Sequence, residues 1–284
     1  MQIAEHVHAL RFPFGVSERF VYVYLIYGKQ IYLIDAGFFG SETVIFDYLT
    51  KTGKSPQDIS LVIQTHSHPD HIGATPAVAK ESGCRVAAHI EAVPWIEDVE
   101  KQFRERPTPN FNTFIKGPVK VDVLLKDGDA VDMGDDQRLR VIHNPGHSRG
   151  SISLFYEEDG ALFSGDAIPA KGDVPIYEDV VALIRSIRML KEIEDIKVLC
   201  ASWLDPQYGK RAYEAMDEAL HYVQYIHEAV LKINRDNPRL QSEELCARVL
   251  KEIGLRESET RPVVVTSIEA HLRASEFENL LEHR

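Results

Sequence analysis

Cysteine is nearly absent from this chain: Cys84, Cys200 and Cys246 are the only three in 284 residues, and they are scattered with no CxxC pairing. That spacing excludes a disulfide framework and a thiolate zinc site, and it leaves the three as small buried hydrophobes. No apolar run reaches the roughly 18 residues that a membrane-spanning helix needs. The start "MQIAEHVHAL" has neither the basic opening nor the apolar stretch of a secretory signal. The expectation is a cytoplasmic protein with no membrane partner. Basic charge is also outweighed, with 32 Lys and Arg against 44 Asp and Glu and a formal net charge of −12. A long polyanion would be repelled over most of such a surface, so nucleic acid is set aside and a small-molecule substrate fits better. No repeat of fixed period is present.

What the chain does have is a core: 44% of it is hydrophobic, enough for one large core or for one core with a smaller appended unit. "ERFVYVYLIYG" and "QIYLIDAG", rich in aromatic and β-branched residues around Gly28-Lys29, read as a strand pair. A helix from Ser41 to Thr52 follows, with Ser41 as its N-cap, and then the strand "ISLVI". Further along, "CRVAAH", "VKVDVLL", "LRVIHN", "SISLFY" and "ALFSGD" read as strands, with a helix near residues 91–103 and a long loop from Arg104 to Lys116. From Tyr208 onward the pattern turns helical, with doubt only over "PVVVTSI". A boundary therefore falls near residue 211, giving an αβ domain over 1–211 and a helical C-terminal extension over 212–284.

Between the strand "ISLVI" and a helix ending at Gly83 lies "QTHSHPDHIG", with three histidines and an aspartate in six positions. On an extended backbone His66 and His68 share one face and can hold one ion together. Asp70 and His71 come after the chain has begun to turn, so they point from another direction and suit a second ion close by. Imidazole and carboxylate are ligands for zinc, iron or manganese rather than for calcium or magnesium. Two further stretches supply polar residues at strand ends: "NPGHSRGS" puts His147 in a Gly-flanked turn, and "LFSGDAI" puts Asp166 after a strand.

Taken together, "IDAG", "THSHPDHIG", "PGHSRGS" and "SGDA", in that order over residues 20–206, resemble the metallo-β-lactamase superfamily. The resemblance implies an αββα sandwich with a metal site at one edge between the sheets. It implies one metal held by His66, His68 and His147, a second by Asp70 and His71, Asp166 bridging both, and Asp35 supporting the site from behind. One departure stands out: in "ASWLDP", Trp203 occupies the place of a further histidine ligand, which leaves the second site weaker. Asp205 is a candidate to reach in instead, against the plainer reading of a turn carboxylate before Pro206.

A metal with three protein ligands keeps a position for water and lowers the water's pKa toward ~7. The expected reaction is hydrolysis of a small ester, thioester or lactone by metal-activated hydroxide, with Asp70 orienting the nucleophile or passing its proton on. Ser148 and Ser151 read as turn hydrogen bonders rather than nucleophiles. Phe111, with Phe114, Arg106 and Lys116 on the loop, and Tyr177 in "PAKGDVPIYED" are the candidate substrate contacts. The aromatics serve equally well to pin the loop to the body. Tyr222, Tyr225, Ile226 and Leu231 form a helical stripe for packing or for a homodimer interface. His221, His227, His271 and His283 read as ordinary helix histidines. Two other readings compete: a mononuclear iron centre with sulfur-dioxygenase-like chemistry, and a low-turnover metal-binding signalling module.

Overall fold

A computed structural model describes residues 1–13 and 19–282. Two six-stranded sheets form its middle. The first runs in chain order through β1 (Val7–Pro13), β2 (Phe20–Tyr27), β3 (Ile31–Ile34), β4 (Ile59–Gln64), β5 (Arg85–His89) and β6 (Val123–Leu125). The second contains β7 (Ala130–Gly134), β8 (Gln137–His143), β9 (Ile152–Tyr156), β10 (Ala161–Gly165), β11 (Val198–Ala201) and β12 (Gln207–Tyr208), again adjacent in order. Pairing is antiparallel through β1, β2 and β3 and parallel from β3 to β6. In the second sheet only β10 and β11 pair in parallel.

The strand sequences explain the layering. A pleat sends alternate side chains to opposite faces, and strands buried on both faces are apolar at nearly every position. In β3, Tyr32 and Ile34 join the core between the sheets while Ile31 and Leu33 join the outer one. In β4, Leu61 and Ile63 face inward and Ile59 and Val62 outward. β9, β10 and β11 behave likewise: Leu154, Phe163 and Cys200 sit between the sheets, and Phe155, Leu162 and Leu199 pack outward. Each such fully buried side chain contributes about 1.5–3 kcal/mol relative to exposure.

Helices α1 (Ser41–Lys51), α2 (Pro69–Ile72) and α3 (Thr75–Ser82) follow β3 and β4, and α1 and α3 cover the outer face of the first sheet through Ile45, Leu49 and Val78. Next come α4 (Val93–Ile96), α5 (Val99–Glu105), α6 (Phe111–Phe114), α7 (Val180–Lys191), α8 (Lys210–Asp236), α9 (Ser242–Glu252) and α10 (Pro262–Arg273). On the outer face of the second sheet, α7, α8 and α10 pack through Leu183, Ile187, Met216, Val223 and Ala270. The architecture is the αββα sandwich, with C-terminal helices α8 to α10 joined by their own apolar cluster around Tyr222, Ile226, Val249 and Val264. No helix among the described residues is long and apolar enough to cross a membrane.

Several elements differ from the sequence reading. The N-cap of α1 is Gly40, in the left-handed region, and its N–H is taken by the Glu42 carboxylate, while Ser41 is the first helical residue and buried. "VKVDVLL" forms a strand only over its last three residues, and the loop after Arg104 contains the short α6. "PVVVTSI" is helical because Pro262 sits in the first turn, where its missing N–H costs nothing. His283 lies outside the described residues.

Candidate metal centre

Five strands deliver the site, and in each case the functional residue lies just beyond the strand's C-terminal end. Asp35 follows β3, the His66–His71 run follows β4, and His147, Asp166 and Trp203 lie beyond β8, β10 and β11. The two sheets approach closely there. The Ile152 N–H donates to the Thr65 carbonyl at 2.8 Å, tying the first sheet to the second. At Gly165 (φ +52°) an added Cβ would come within 2.7 Å of Thr65 Oγ1, so "SGDA" needs its glycine for both conformation and clearance.

Donor atoms of His66, His68, His147 and Asp166 all lie within 4.8 Å of one another. His68 Nδ1 is 2.8 Å from His147 Nε2, and His147 Nε2 is 3.4 Å from Asp166 Oδ2. On the other carboxylate oxygen, Asp166 Oδ1 is 3.2 Å from His71 Nε2, and Asp70 Oδ2 is 3.7 Å from that same nitrogen. The structure therefore brings together all six residues expected to hold metal.

Three of the four rings, His66, His71 and His147, are oriented from behind, and this decides which nitrogen faces inward. Asp35, with φ 58° and only 3% exposed, accepts the Thr65 N–H at 2.8 Å, the Thr65 hydroxyl at 2.7 Å and His71 Nδ1–H at 2.9 Å. With its own proton spent on Asp35, Thr65 Oγ1 accepts from His66 Nδ1 at 3.0 Å. His147 Nδ1 donates to the Ile176 carbonyl at 2.7 Å. In these tautomers the Nε2 lone pairs of His66, His71 and His147 point into the cluster.

Those lone pairs meet other acceptors. Nε2 of His66 and His71 and Oδ1 of Asp166 are buried without a hydrogen-bond partner. Unpaired buried acceptors within 4 Å of each other are costly unless a cation lies among them. Burial, with smaller repulsion from neighbouring cationic groups, holds His66 and His68 well below the usual histidine range and His147 down to about 4, which keeps them neutral. Burial also disfavours charge on His71, yet Asp166, Asp35 and Asp70 lift it well above the usual range, so that without a cation a proton on Nε2 fills that place beside Asp166 Oδ1. The centre thus attracts positive charge, and its donors fit divalent metal.

The remaining expectations resolve as follows. Trp203 Nε1 donates to Asp166 Oδ2 at 2.9 Å, and Asp205 turns away to accept from Tyr22 Oη at 2.8 Å. Ser148 and Ser151 bond to one another at 3.0 Å inside the His147 loop. A cavity of about 750 Å³ is lined by Ser67, Gly146 and Ser148, the chain neighbours of His66, His68 and His147. Tyr177 lines it, but its hydroxyl is committed to His271 Nε2 at 2.5 Å and its side chain is 2% exposed. Phe111 is buried with Ile72, Ala88 and Ile96, pinning the loop, and Arg106 from the same loop reaches the cavity. The supporting roles of Thr65 and Ile176 had no legible signal, since one works through its neighbour's ring and the other through a backbone carbonyl.

Comparison with known proteins agrees with this geometry: residues 16–203 match the metallo-beta-lactamase superfamily. The chain belongs to that superfamily. It is a superfamily hydrolase, 36% identical over 204 residues to an acyl-coenzyme A thioesterase of Gallus gallus, covering 64% of this chain and 73% of the relative. It is 28% identical over 141 residues to a hydroxyacylglutathione hydrolase of Rhodopseudomonas palustris (strain BisB5), covering 49% and 46%. A metallo-beta-lactamase family protein of Thermus thermophilus superposes with a TM-score of 0.77 at 22% identity over 95% of this chain and 93% of the other, which is a likeness of fold.

Proposed function

We propose that this superfamily hydrolase cleaves a small thioester, with water attacking the acyl carbon and a thiol departing. One observation carries the reading: four donor atoms lie within 4.8 Å of one another, and Ser67, Gly146 and Ser148, the chain neighbours of three of the four, line a cavity large enough for a substrate. A divalent ion bound there, zinc by its fit to imidazole with iron or manganese as alternatives, would polarise the acyl oxygen and lower the pKa of water toward ~7.

This chain's residues supply the rest. His66, His68 and His147, neutral through burial, offer lone pairs, and Asp166 offers a carboxylate between the two groups of histidines. Asp70, whose carboxyl burial pushes upward, is the proton carrier: it takes the proton from the attacking water and gives it to the departing sulfur as the C–O bond forms and the C–S bond breaks. The cavity wall combines Trp95 and Val263 with Lys101, Arg106, Arg149 and Arg273, a surface for an acyl group on a polar carrier. The names of two relatives, both thioester hydrolases, support thioesters over oxygen esters and lactones.

A panel of acyl-coenzyme A, S-acylglutathione, oxygen esters and lactones tests the reading, with and without chelator. Thioester turnover that disappears on chelation and returns with zinc supports it. Oxygen uptake dependent on iron would replace it with the dioxygenase chemistry. Full metal loading with no turnover on any of these would leave a metal-binding module.

A further inference from the structure

Arg106 stands at the end of α5, and two contacts aim it at the centre. The Gln102 side-chain amide donates to the Ser67 carbonyl at 2.6 Å, so α5 is fastened to the peptide between His66 and His68. One turn later Arg106 closes the helix as its C-cap, with its own N–H on the Gln102 carbonyl at 2.8 Å. Its side chain then lines the cavity, where Lys101, Arg149 and Arg273 are the other cations.

These four are not equivalent. Arg106 is the cavity cation that bears most on the centre: its charge is the strongest of those that keep His68 neutral, and it also acts on His66, His147 and Asp70. Enclosure of the guanidinium lowers its own pKa, and the hydrogen bond its side chain makes is a long one, 3.3 Å to the Thr108 hydroxyl. Glu178, Asp70 and Asp166 attract it, but no carboxylate among the described residues forms an ion pair with it. A guanidinium stays charged at any working pH, and one held out of water without a partner is costly. Its fork of donors fits a carboxylate through two parallel hydrogen bonds. The cavity is where such a group would enter.

Reach decides which end of a substrate supplies it. The phosphates of coenzyme A lie at the far end of a long uncharged arm, and the carboxylates of glutathione lie several bonds beyond the sulfur. A short acyl chain, by contrast, ends a few bonds from the reacting carbon. We infer that Arg106 is a specificity-determining residue that grips a carboxylate at the far end of a short acyl chain, so that the preferred substrates are monothioesters of dicarboxylic acids. The inference rests on the thioester reading above. Discrimination then comes from the far end of two acyl groups that present the same carbonyl to the centre.

The test compares length-matched acyl groups, glutaryl and pentanoyl, on uncharged N-acetylcysteamine and on coenzyme A, with the full chain as purified. The glutaryl thioester should have the higher kcat/KM on both thiols. Arg106→Gln should lower the glutaryl-to-pentanoyl ratio roughly 10–100-fold on both. Arg106→Lys, which keeps the charge and loses the fork, should fall between. Equilibrium binding gives a second readout: glutarate should bind the natural protein more tightly than pentanoate does, and Arg106→Gln should erase the difference. A ratio that does not change, with both acyl groups losing alike, would overturn the proposal and put Arg106 on the reacting carbonyl. Loss confined to coenzyme A thioesters, whichever acyl group they carry, would overturn it in favour of the carrier's phosphates. If no thioester turns over, the function proposed above fails; Arg106-dependent binding of glutarate would still uphold the carboxylate site, and its absence would sink that as well.

Discussion

Asp35 touches no substrate and is not expected to touch metal, yet Asp35→Asn should disable the centre. Its carboxylate accepts three hydrogen bonds: the Thr65 N–H, the Thr65 hydroxyl and His71 Nδ1–H. An asparagine can keep its oxygen toward the Thr65 N–H, but its NH₂ then meets two donors at the Oδ2 position. His71 can accept from that NH₂ only by moving its proton to Nε2, where it would point at Asp166 Oδ1, 3.2 Å away. Thr65 must turn its hydroxyl proton elsewhere, which removes the acceptor used by His66 Nδ1 at 3.0 Å. Loss of a partner of this kind typically weakens metal binding by about 10–100-fold, or about 1.4–2.7 kcal/mol. Two charge-assisted bonds lost from a buried group should cost a further ~2–4 kcal/mol of stability. Thr65→Val is the matched control, because it removes the support of His66 while leaving His71 on Asp35. Competition with a chromophoric chelator, together with thermal unfolding, reads both effects. Asp35→Asn should weaken both positions and Thr65→Val chiefly the first. If Asp35→Asn holds metal as tightly as the natural protein, proton placement on these rings does not govern the centre.

Gly146 has φ +134°, and a Cβ there would lie 2.4 Å from Leu183 Cα at the start of α7. Gly146→Ala should therefore cost roughly 2–5 kcal/mol through strain and overpacking and should shed zinc by moving His147; an unchanged melting temperature with full zinc retention would refute the close-approach argument. Phe111→Ala should lose about 3–5 kcal/mol of stability with little change in KM, whereas a raised KM at unchanged stability would make Phe111 a substrate contact. A pH effect follows from the chain Tyr177, His271, His227 and Phe277. Tyr177 Oη donates to His271 Nε2, His271 Nδ1 lies 3.2 Å from His227 Nδ1, and His227 Nε2 donates to the Phe277 carbonyl at 2.7 Å. Burial lowers the pKa of both histidines. The unfolded chain binds protons near pH ~6.5 that the folded chain refuses, so the stability these rings contribute is complete above that pH and falls as pH drops toward their folded values. His271→Leu should be less stable by about 1–3 kcal/mol at pH 8 and should lose less than the natural protein between pH 7 and pH 5; parallel pH profiles would show that His271 is not held neutral.

How much the sequence discloses depends on whether a residue acts by its own chemistry or through a neighbour. The inner strands were legible because burial on both faces demands apolar residues throughout, and "ISLVI" and "IYLI" satisfy that demand. The edges were not: β1 has an exposed Arg11 among its buried residues and β12 is a two-residue strand, so neither offers a period to read. In the centre, His66, His68, Asp70 and His71 announced themselves by spacing, because imidazole and carboxylate close together have few other uses, while His147 and Asp166 stood out as polar residues at strand ends and through the family resemblance. Trp203 announced only what it could not do. Its actual contact, an N–H on Asp166, needed the distance between the ends of β10 and β11, which no local pattern encodes. His227 and His271 show the same limit from the other side. Read as isolated helix histidines, they are buried partners across 44 residues of chain. Through Tyr177 they also bear on the site. The Tyr177 N–H donates to Ser267 Oγ at 2.9 Å, and the preceding carbonyl, that of Ile176, orients His147. Helix α10 thus fixes, by one hydroxyl, the peptide that aims the His147 ring, so the C-terminal helices belong to the centre's support as much as the strands that carry its histidines and aspartates.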